Sequence, residues 1–363
     1  MRSGIRKRLD DFNISLESLY RMHKYRKNAK IRLKRMNGGY DIGQEYSNIV
    51  VPYWKKYNLK PKKYWYKIFC DREQKVNPRY IPDDLWFGKI IPYYSNQKFR
   101  RLGEDKCLHD IYFPDLHRPR TIAKNIANVF YDSEMNIISR EEFIELCLKE
   151  NDEFLIKPSI DSGEGRLIKF FEPEKFNATD LSNALNDLKA NYICQESVKQ
   201  SEILSKLNPS SLNTIRVISF LFEDEVHILS SILRVGAENA KVDNIGAGGF
   251  AIPIKNDGKL NKLGVNRKSE WVDQNSRGIK FENIQIPSYD ELVREIKKAH
   301  KKQAHFKIIG WDFSIDKKGT PIFIEFNSCP GQNQMTVGPT FGELTERVLE
   351  DVFIEKKYKY AQN

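Results

Sequence analysis

Three oxygen-bearing side chains near the C-terminal end of the chain are spaced to act together. Gly310-Trp311-Asp312-Phe313-Ser314-Ile315-Asp316 and Pro321-Ile322-Phe323-Ile324-Glu325-Phe326-Asn327 flank Lys317-Lys318-Gly319-Thr320, which reads as the turn of a hairpin. A turn centred between Lys318 and Gly319 places residues whose numbers sum to 637 opposite one another, so Asp312 faces Glu325. Facing residues have Cβ atoms about 4.5–5.5 Å apart and residues two apart share a side, which brings Asn327 to the same face. Two carboxylates and an amide oxygen, with no basic residue between them, are costly unless a cation neutralises them. Oxygen-only donors favour Mg²⁺, which keeps waters and shares its shell with substrate phosphates. The alternative is a solvated acidic pair on an exposed sheet face. Two features favour the metal: Ile322 and Ile324 assign the opposite face to core, and Asn327 runs into Ser328-Cys329-Pro330-Gly331, which stops the strand at the site.

A second arrangement lies upstream. Phe154-Leu155-Ile156-Lys157-Pro158 ends a strand on a lysine, and the glycine-bearing loop from Ser159 to Arg166 follows. Glycines let backbone N–H groups approach phosphate oxygens, and a lysine at a strand end supplies a point charge. A turn between two strands also uses glycine, so this loop alone decides little. It matches neither GxxxxGK[ST] nor GxGxxG. GxSxG and HExxH are absent as well, and the six histidines lie without ligand spacing.

The elements that position these residues follow from periodicity. A helix is expected near Lys106, strands over 153–157, 166–171 and 192–195, and a helix over 178–189. Strands over 214–222 and 226–234 join through a tight Glu223-Asp224 turn. Amphipathic helices over 289–302 and 343–354 should cover one face of the sheet that holds the last hairpin. The pattern divides the chain into residues 1–104, a basic, aromatic and partly helical region, 105–198, whose element order suits a small nucleotide-clamping unit, and 199–363, which carries the metal-site hairpin; the resemblance set out below implies an acceptor site in this last unit as well. The aromatic clusters Tyr53-Trp54 and Tyr64-Trp65-Tyr66 read as packing ahead of sugar stacking.

With 363 residues, 40% of them hydrophobic and 12% aromatic, the chain can bury a sizeable core. No apolar run approaches the roughly 20 residues that span a bilayer, and residues 1–10 lack the apolar segment of a secretory signal, so the expected location is the cytoplasm. Five cysteines, widely separated and never spaced CxxC, read as reduced thiols. The net charge of +11 calls for an anionic partner. Much of it falls between Arg21 and Arg35, which reads first as a solvated helix face, then as a surface for membrane or acidic glycan. Nucleic acid is not expected, because no nucleic-acid fold signature accompanies the patch.

Taken in order, Asp105-Lys106, Ile156-Lys157-Pro158 with its loop, Tyr192-Ile193-Cys194-Gln195-Glu196-Ser197-Val198, Asp312 and Glu325-Phe326-Asn327-Ser328-Cys329-Pro330-Gly331 resemble the ATP-grasp superfamily. Phe113-Pro114, the run from Leu207 to Val217 and Asn244-Ile245-Gly246-Ala247-Gly248-Gly249 narrow the likeness to the sugar-transfer-associated ATP-grasp proteins, from about residue 50 onward. The resemblance implies an α+β fold in which two subdomains clamp ATP. Lys106 and Lys157 would meet the α and β phosphates, and Ser162 with Gly163 would close over them as a lid. Gln195, Glu196 and Val198 would form the hinge that reads adenine. Glu202 would take the ribose, although Ile203 stands where the acid is expected. Arg234 would meet the γ-phosphate and Arg216 the acceptor, and Asp312, Glu325 and Asn327 would hold magnesium.

The implied activity is a carboxylate–amine ligase using Mg-ATP through an acyl phosphate. Its substrates would be a carboxylated sugar of a surface polysaccharide, or a similar acid, and an amine. The alternatives are an ATP-grasp kinase acting on a hydroxyl and a non-catalytic scaffold that recruits glycosyltransferases through the basic N-terminal helix.

Overall fold

The computed structural model describes residues 2–161, 165, 167–238, 240, 249–266 and 268–356, with side chains from Leu16 onward. Among these residues, thirteen strands form two antiparallel sheets. The first contains β1 (Thr121–Ile126), β2 (Val129–Asp132), β3 (Ile137–Ile138), β4 (Phe154–Pro158), β5 (Lys169–Phe171) and β6 (Tyr192–Glu196), in the order β3-β2-β1-β6-β4-β5. The second contains β7 (Thr214–Phe222), β8 (Glu225–Val235), β9 (Phe250–Pro253), β10 (Gly264–Asn266), β11 (Trp271–Val272), β12 (Ile308–Ile315) and β13 (Pro321–Asn327), in the order β11-β10-β9-β8-β7-β12-β13.

Helices Arg140–Leu148 and Ala178–Leu188 cover the first sheet, burying Phe143, Cys147, Leu181 and Leu185 against Phe154, Ile156 and Tyr192. Both begin with reciprocal caps, Ser139 with Glu142 and Asn177 with Asp180, which satisfy N–H groups that the first helical turn leaves without partners. The helix expected near Lys106 is a 3₁₀ turn, Lys106–Leu108, followed by the short helix His109–Tyr112. The side chain of Asp105 accepts from the Cys107 N–H at 3.0 Å and caps that turn.

In the second sheet, alternate residues enter two different cores. Ile215, Val217, Leu233, Ile309, Trp311 and Phe313 pack with Leu292, Ile296 and Ala299 of helix Tyr289–His300. Ile218, Phe220, Ile232 and Ile308 pack on the other side, with Val348, Leu349 and the N-terminal region. The helices expected to share one face therefore lie on opposite faces: the strands are apolar on both sides, and each side needs its own cover. Burying Leu292 and Ile296 fully is worth about 1.5–3 kcal/mol apiece.

The N-terminal region is helical and packs on the same face as Ile218 and Ile232. Its aromatic clusters belong to the core: Trp54, Trp65 and Tyr66 are buried, the Trp54 indole donates to the Pro78 carbonyl at 2.9 Å, and the Tyr66 hydroxyl donates to that of Tyr80 at 3.2 Å. All five cysteines are free thiols, and the Cys147 and Cys194 sulfurs lie 3.5 Å apart. Among the described residues, no helix is long and apolar enough to cross a membrane.

Candidate active site

Two departures from regular strand pairing build the site. In the last hairpin, Ile315 pairs with Pro321, Ser314 with Ile322 and Phe313 with Phe323, so near the turn the numbers sum to 636. The pairing near the turn is therefore one residue out of the register expected from sequence. The Asp316 carboxylate fixes it by accepting from the N–H groups of Lys318 and Thr320, both at 2.8 Å, and Gly319 takes φ of +85°. An irregularity between Asp312 and Phe313 leaves Ile324 as an extra residue, and beyond it Asp312 pairs with Glu325 and Gly310 with Asn327. The facing acids were expected correctly, but two offsets cancel to produce them. The same bulge corrects the assignment of core: Ile322 and Ile324 are half-buried, Ile324 lines the cavity described below, and Phe323 and Phe326 are the core residues.

In the β7–β8 hairpin, Glu223 and Asp224 both adopt positive φ (49° and 65°), as a tight two-residue turn requires. A shift between Ile218 and Ser219 places Thr214 opposite Arg234. The Thr214 hydroxyl accepts from that guanidinium at 3.0 and 2.7 Å, and so aims it.

Arg216 sits on β7 directly opposite Asp312. Its guanidinium grips both oxygens of the Asp312 carboxylate, one contact at 2.7 Å, and Arg234 reaches Asp312 Oδ2 at 3.1 Å. Asp312 is only 1% exposed. Lys106 approaches from the 3₁₀ turn, with its Nζ 3.0 Å from Glu325 Oε2. The expectation that no basic residue stands between the acids is therefore wrong. Each carboxylate already answers to cations from neighbouring elements, which a single hairpin read alone does not reveal.

These contacts tune the charges. Burial opposes ionisation of Glu325, but the charge and hydrogen bond of Lys106, backed by Lys157 and Arg216, hold its carboxyl at about 2. Burial and the neighbouring Lys106 lower the Lys157 ammonium to about 8, against a smaller opposing pull from Glu325. His109, packed on Phe323 and Phe326, is pushed by burial and then by Lys106 to about 3, so it stays neutral and serves as packing beneath the lysine.

A cavity of about 450 Å³ opens between the two sheets. Its lining combines the charged side chains of Lys106, Lys157, Arg234, Asp312 and Glu325 with the apolar Leu155, Ile168, Phe170 and Leu212. Gln195, Glu196 and Val198, expected as the hinge, line this cavity together with Ser197 and Lys199. The Glu196 carboxylate turns back to accept from the Arg120 N–H at 3.0 Å, leaving mainly backbone facing the cavity at that residue. Glu202 does not join the lining. It is 82% exposed and pairs with Lys206 at 2.9 Å, one helical turn on. Gln200 and Ser205 line the cavity from the same segment.

Ser162 and Gly163, expected in the lid, lie outside the described residues, as do residues 244–248 of the glycine-rich run. The run from Leu207 to Val217 has a physical explanation. Gln200 donates to the carbonyls of Asn208 and Ser211 at 2.9 and 2.8 Å, and accepts from the Asn213 N–H at 2.9 Å, which pins this loop beneath the cavity. Sequence reasoning missed Thr214, Gln200 and the apolar lining. Thr214 could have been found only by knowing where β8 bulges.

The donor set fits a magnesium ion brought in with a nucleotide. Asn327 shares a face with Glu325, and its buried Nδ2 has no hydrogen-bond partner, an N–H donor suited to a phosphate oxygen arriving with the metal. The two carboxylates offer more lone-pair sites than their present contacts use. A bare cation would have to displace Lys106, Arg216 and Arg234, whereas phosphates arriving with the metal give those cations new partners. Among the described residues, no group of three His, Cys, Asp or Glu side chains forms a ready metal cage.

Comparison with curated proteins gives no match. Among solved structures, the chain is similar to D-alanyl-alanine synthetase A from Vibrio cholerae (10% identity, TM-score 0.41, 70% of this chain and 65% of that one). It is also similar to the ATP-grasp ligase PsnB complexed with minimal precursor (14%, 0.38, 71% and 63%) and to biotin carboxylase from Campylobacter jejuni (13%, 0.42, 69% and 46%). The chain spans less than two thirds of the length of each of these three. The family model described as sugar-transfer associated ATP-grasp matches residues 92–348, well over half of the chain. That span contains both sheets and every residue that lines the cavity, and by it the chain belongs to the sugar-transfer associated ATP-grasp family, with the ATP-grasp fold.

Proposed function

We propose that this chain is an ATP-dependent carboxylate–amine ligase. The observation that carries the reading is a cavity whose lining brings Lys106, Lys157 and Arg234 together with Asp312, Glu325 and the apolar Leu155, Ile168, Phe170 and Leu212. ATP has the complementary form: a flat apolar base and a polyanionic tail that carries a metal. In this reading residues 105–198 clamp the nucleotide and residues 199–363 hold metal and acceptor.

The base lies between Leu155, Ile168, Phe170 and Leu212, read by the backbone of Glu196 to Val198 with Gln195 beside it. Lys106 leaves Glu325 and, with Lys157, meets the α and β phosphates, Arg234 takes the γ-phosphate, and Ser162 with Gly163 closes the lid. Asp312, Glu325 and Asn327 hold Mg²⁺, which when bound would draw charge from the phosphate oxygens. Arg216, on the acceptor side of Asp312, holds the substrate carboxylate in line with the γ-phosphorus. A carboxylate oxygen forms a bond to that phosphorus as the bond to ADP breaks, giving an acyl phosphate. An amine nitrogen then attacks the acyl carbon, phosphate leaves, and the nitrogen gives up a proton to leave an amide. Phosphoryl transfer of this kind depends on positioning and charge neutralisation, which lysines and arginines supply without a protein nucleophile.

For the acid we propose a uronic acid or other carboxylated sugar destined for a surface polysaccharide, with the reaction on the cytoplasmic side. Support comes from the family's association with sugar transfer and from the cationic site. The test is incubation with Mg-ATP, uronic acids and hydroxylamine. A hydroxamate and stoichiometric ADP are expected, both requiring the acid. ADP release without the acid, or a phosphorylated sugar hydroxyl, would refute ligation; the second result would establish a kinase.

A further inference from the structure

The N-terminal helix Arg2–Arg35 carries a dense run of cations in its C-terminal half. Between Ser18 and Tyr40 there are eight lysines and arginines and no acid. Three of the arginines turn toward the protein: Arg26 pairs with Asp84 at 2.5 Å, Arg21 is 18% exposed, and Arg32 is half-buried near Ser269. The same inner face seats Ser18, whose hydroxyl donates to the Gly88 carbonyl at 2.5 Å, and Tyr25, stacked on Phe87 with centroids 3.9 Å apart. Lys24, Lys27, Lys30 and Lys34 point to solvent on the other face. Leu16, Leu19 and Tyr20 precede them along the helix and Ile31 falls among them, exposed by 48, 58, 67 and 42%.

From this we propose that the outer face of the helix docks on an anionic lipid bilayer. Aliphatic and aromatic side chains beside lysines suit a headgroup layer. The apolar groups enter the acyl boundary while the flexible lysine stems keep their ammonium groups at the level of the phosphates. A nucleic acid would take the lysines but has no place for Leu16, Leu19 and Ile31. The helix lies along the N-terminal region, which packs on the sheet face that carries Arg216 and Asp312. The inference is independent of the chemistry proposed above.

The test is co-sedimentation of the full chain with phosphatidylcholine vesicles, with and without phosphatidylglycerol. Binding to the anionic vesicles alone is expected, and it should weaken as salt is raised. Replacing Lys24, Lys27 and Lys34 by Gln should weaken it about fivefold for each lysine. Leu16→Ser with Tyr20→Ser should also release the protein while its melting temperature is unchanged, since both side chains face solvent. Equal binding to both vesicles, no binding at all, indifference to either set of substitutions, or capture by RNA without vesicle binding would overturn the proposal.

Discussion

Replacing Asp312 by Asn separates the two tasks assigned to that residue, counter-ion and metal ligand. The side chain is 1% exposed and holds two guanidinium groups, Arg216 through both oxygens and Arg234 at 3.1 Å. Removing the charge leaves both arginines facing a neutral amide, and breaking a buried pair from one side costs about 3–5 kcal/mol. Arg216 and Arg234 retain 15 and 21% exposure, so water recovers part of this loss and the low end, about 3 kcal/mol, is expected. At an unfolding entropy of about 2.1 cal/mol/K per residue, that lowers the melting temperature of a chain this size by about 4 °C.

Nucleotide binding should respond in the opposite direction. Without Asp312 the arginines face phosphates unopposed, so metal-free ATP should bind more tightly than to the wild type, while the gain that Mg²⁺ gives the wild type disappears. Calorimetric titration with ATP, with and without Mg²⁺, reads both effects, and turnover should fall by more than about 100-fold. If D312N kept the magnesium dependence of the wild type, Asp312 would be no metal ligand and its role would be confined to holding the arginines.

Other consequences can be checked separately. Lys157 titrates near 8 in the free protein, so between there and its unfolded value near 10.5 the unfolded chain binds more protons; Lys157 thus makes stability rise with pH through that window, an effect Lys157→Met should remove. Phosphates favour its charged form, so ATP binding at pH 8.5 to 9 should take up protons, measurable as a buffer-dependent enthalpy, and should weaken as pH rises. Gly310→Ala would place a methyl group 2.7 Å from the Pro330 side chain, pressing on the loop that follows Asn327; a loss of about 1–3 kcal/mol and a lowered kcat are expected from melting and turnover. Glu202→Ala should leave ATP affinity within twofold, because that carboxylate pairs with Lys206 in solvent; a tenfold loss would restore it as a ribose ligand.

Much of this architecture was legible in the sequence because local signals agreed with it. Apolar alternation located β7, β8, β12 and β13, and the Glu223-Asp224 turn joined the first pair. Bulges were not legible, since one extra residue changes register without changing composition. Ile324 and the shift beside Ser219 are both of this kind, and they decide which side chains face the cavity. Contacts between distant segments were equally hidden. Lys106 reaches Glu325 across more than two hundred residues, and Arg216 and Arg234 reach Asp312 from another hairpin. Reading the last hairpin alone therefore found the acids and missed the cations that hold them. The aromatic clusters near the N-terminus could serve packing or sugar stacking equally well by composition, and burial decides for packing.

Transfer of isotopically labelled oxygen reaches the central claim most directly. With ATP, Mg²⁺, an amine and a uronic acid carrying ¹⁸O in its carboxylate, attack of that carboxylate on the γ-phosphorus must carry one labelled oxygen into the phosphate released on amide formation. Mass spectrometry of the phosphate should find that single label; unlabelled phosphate accompanying a formed product would contradict carboxylate activation at this site.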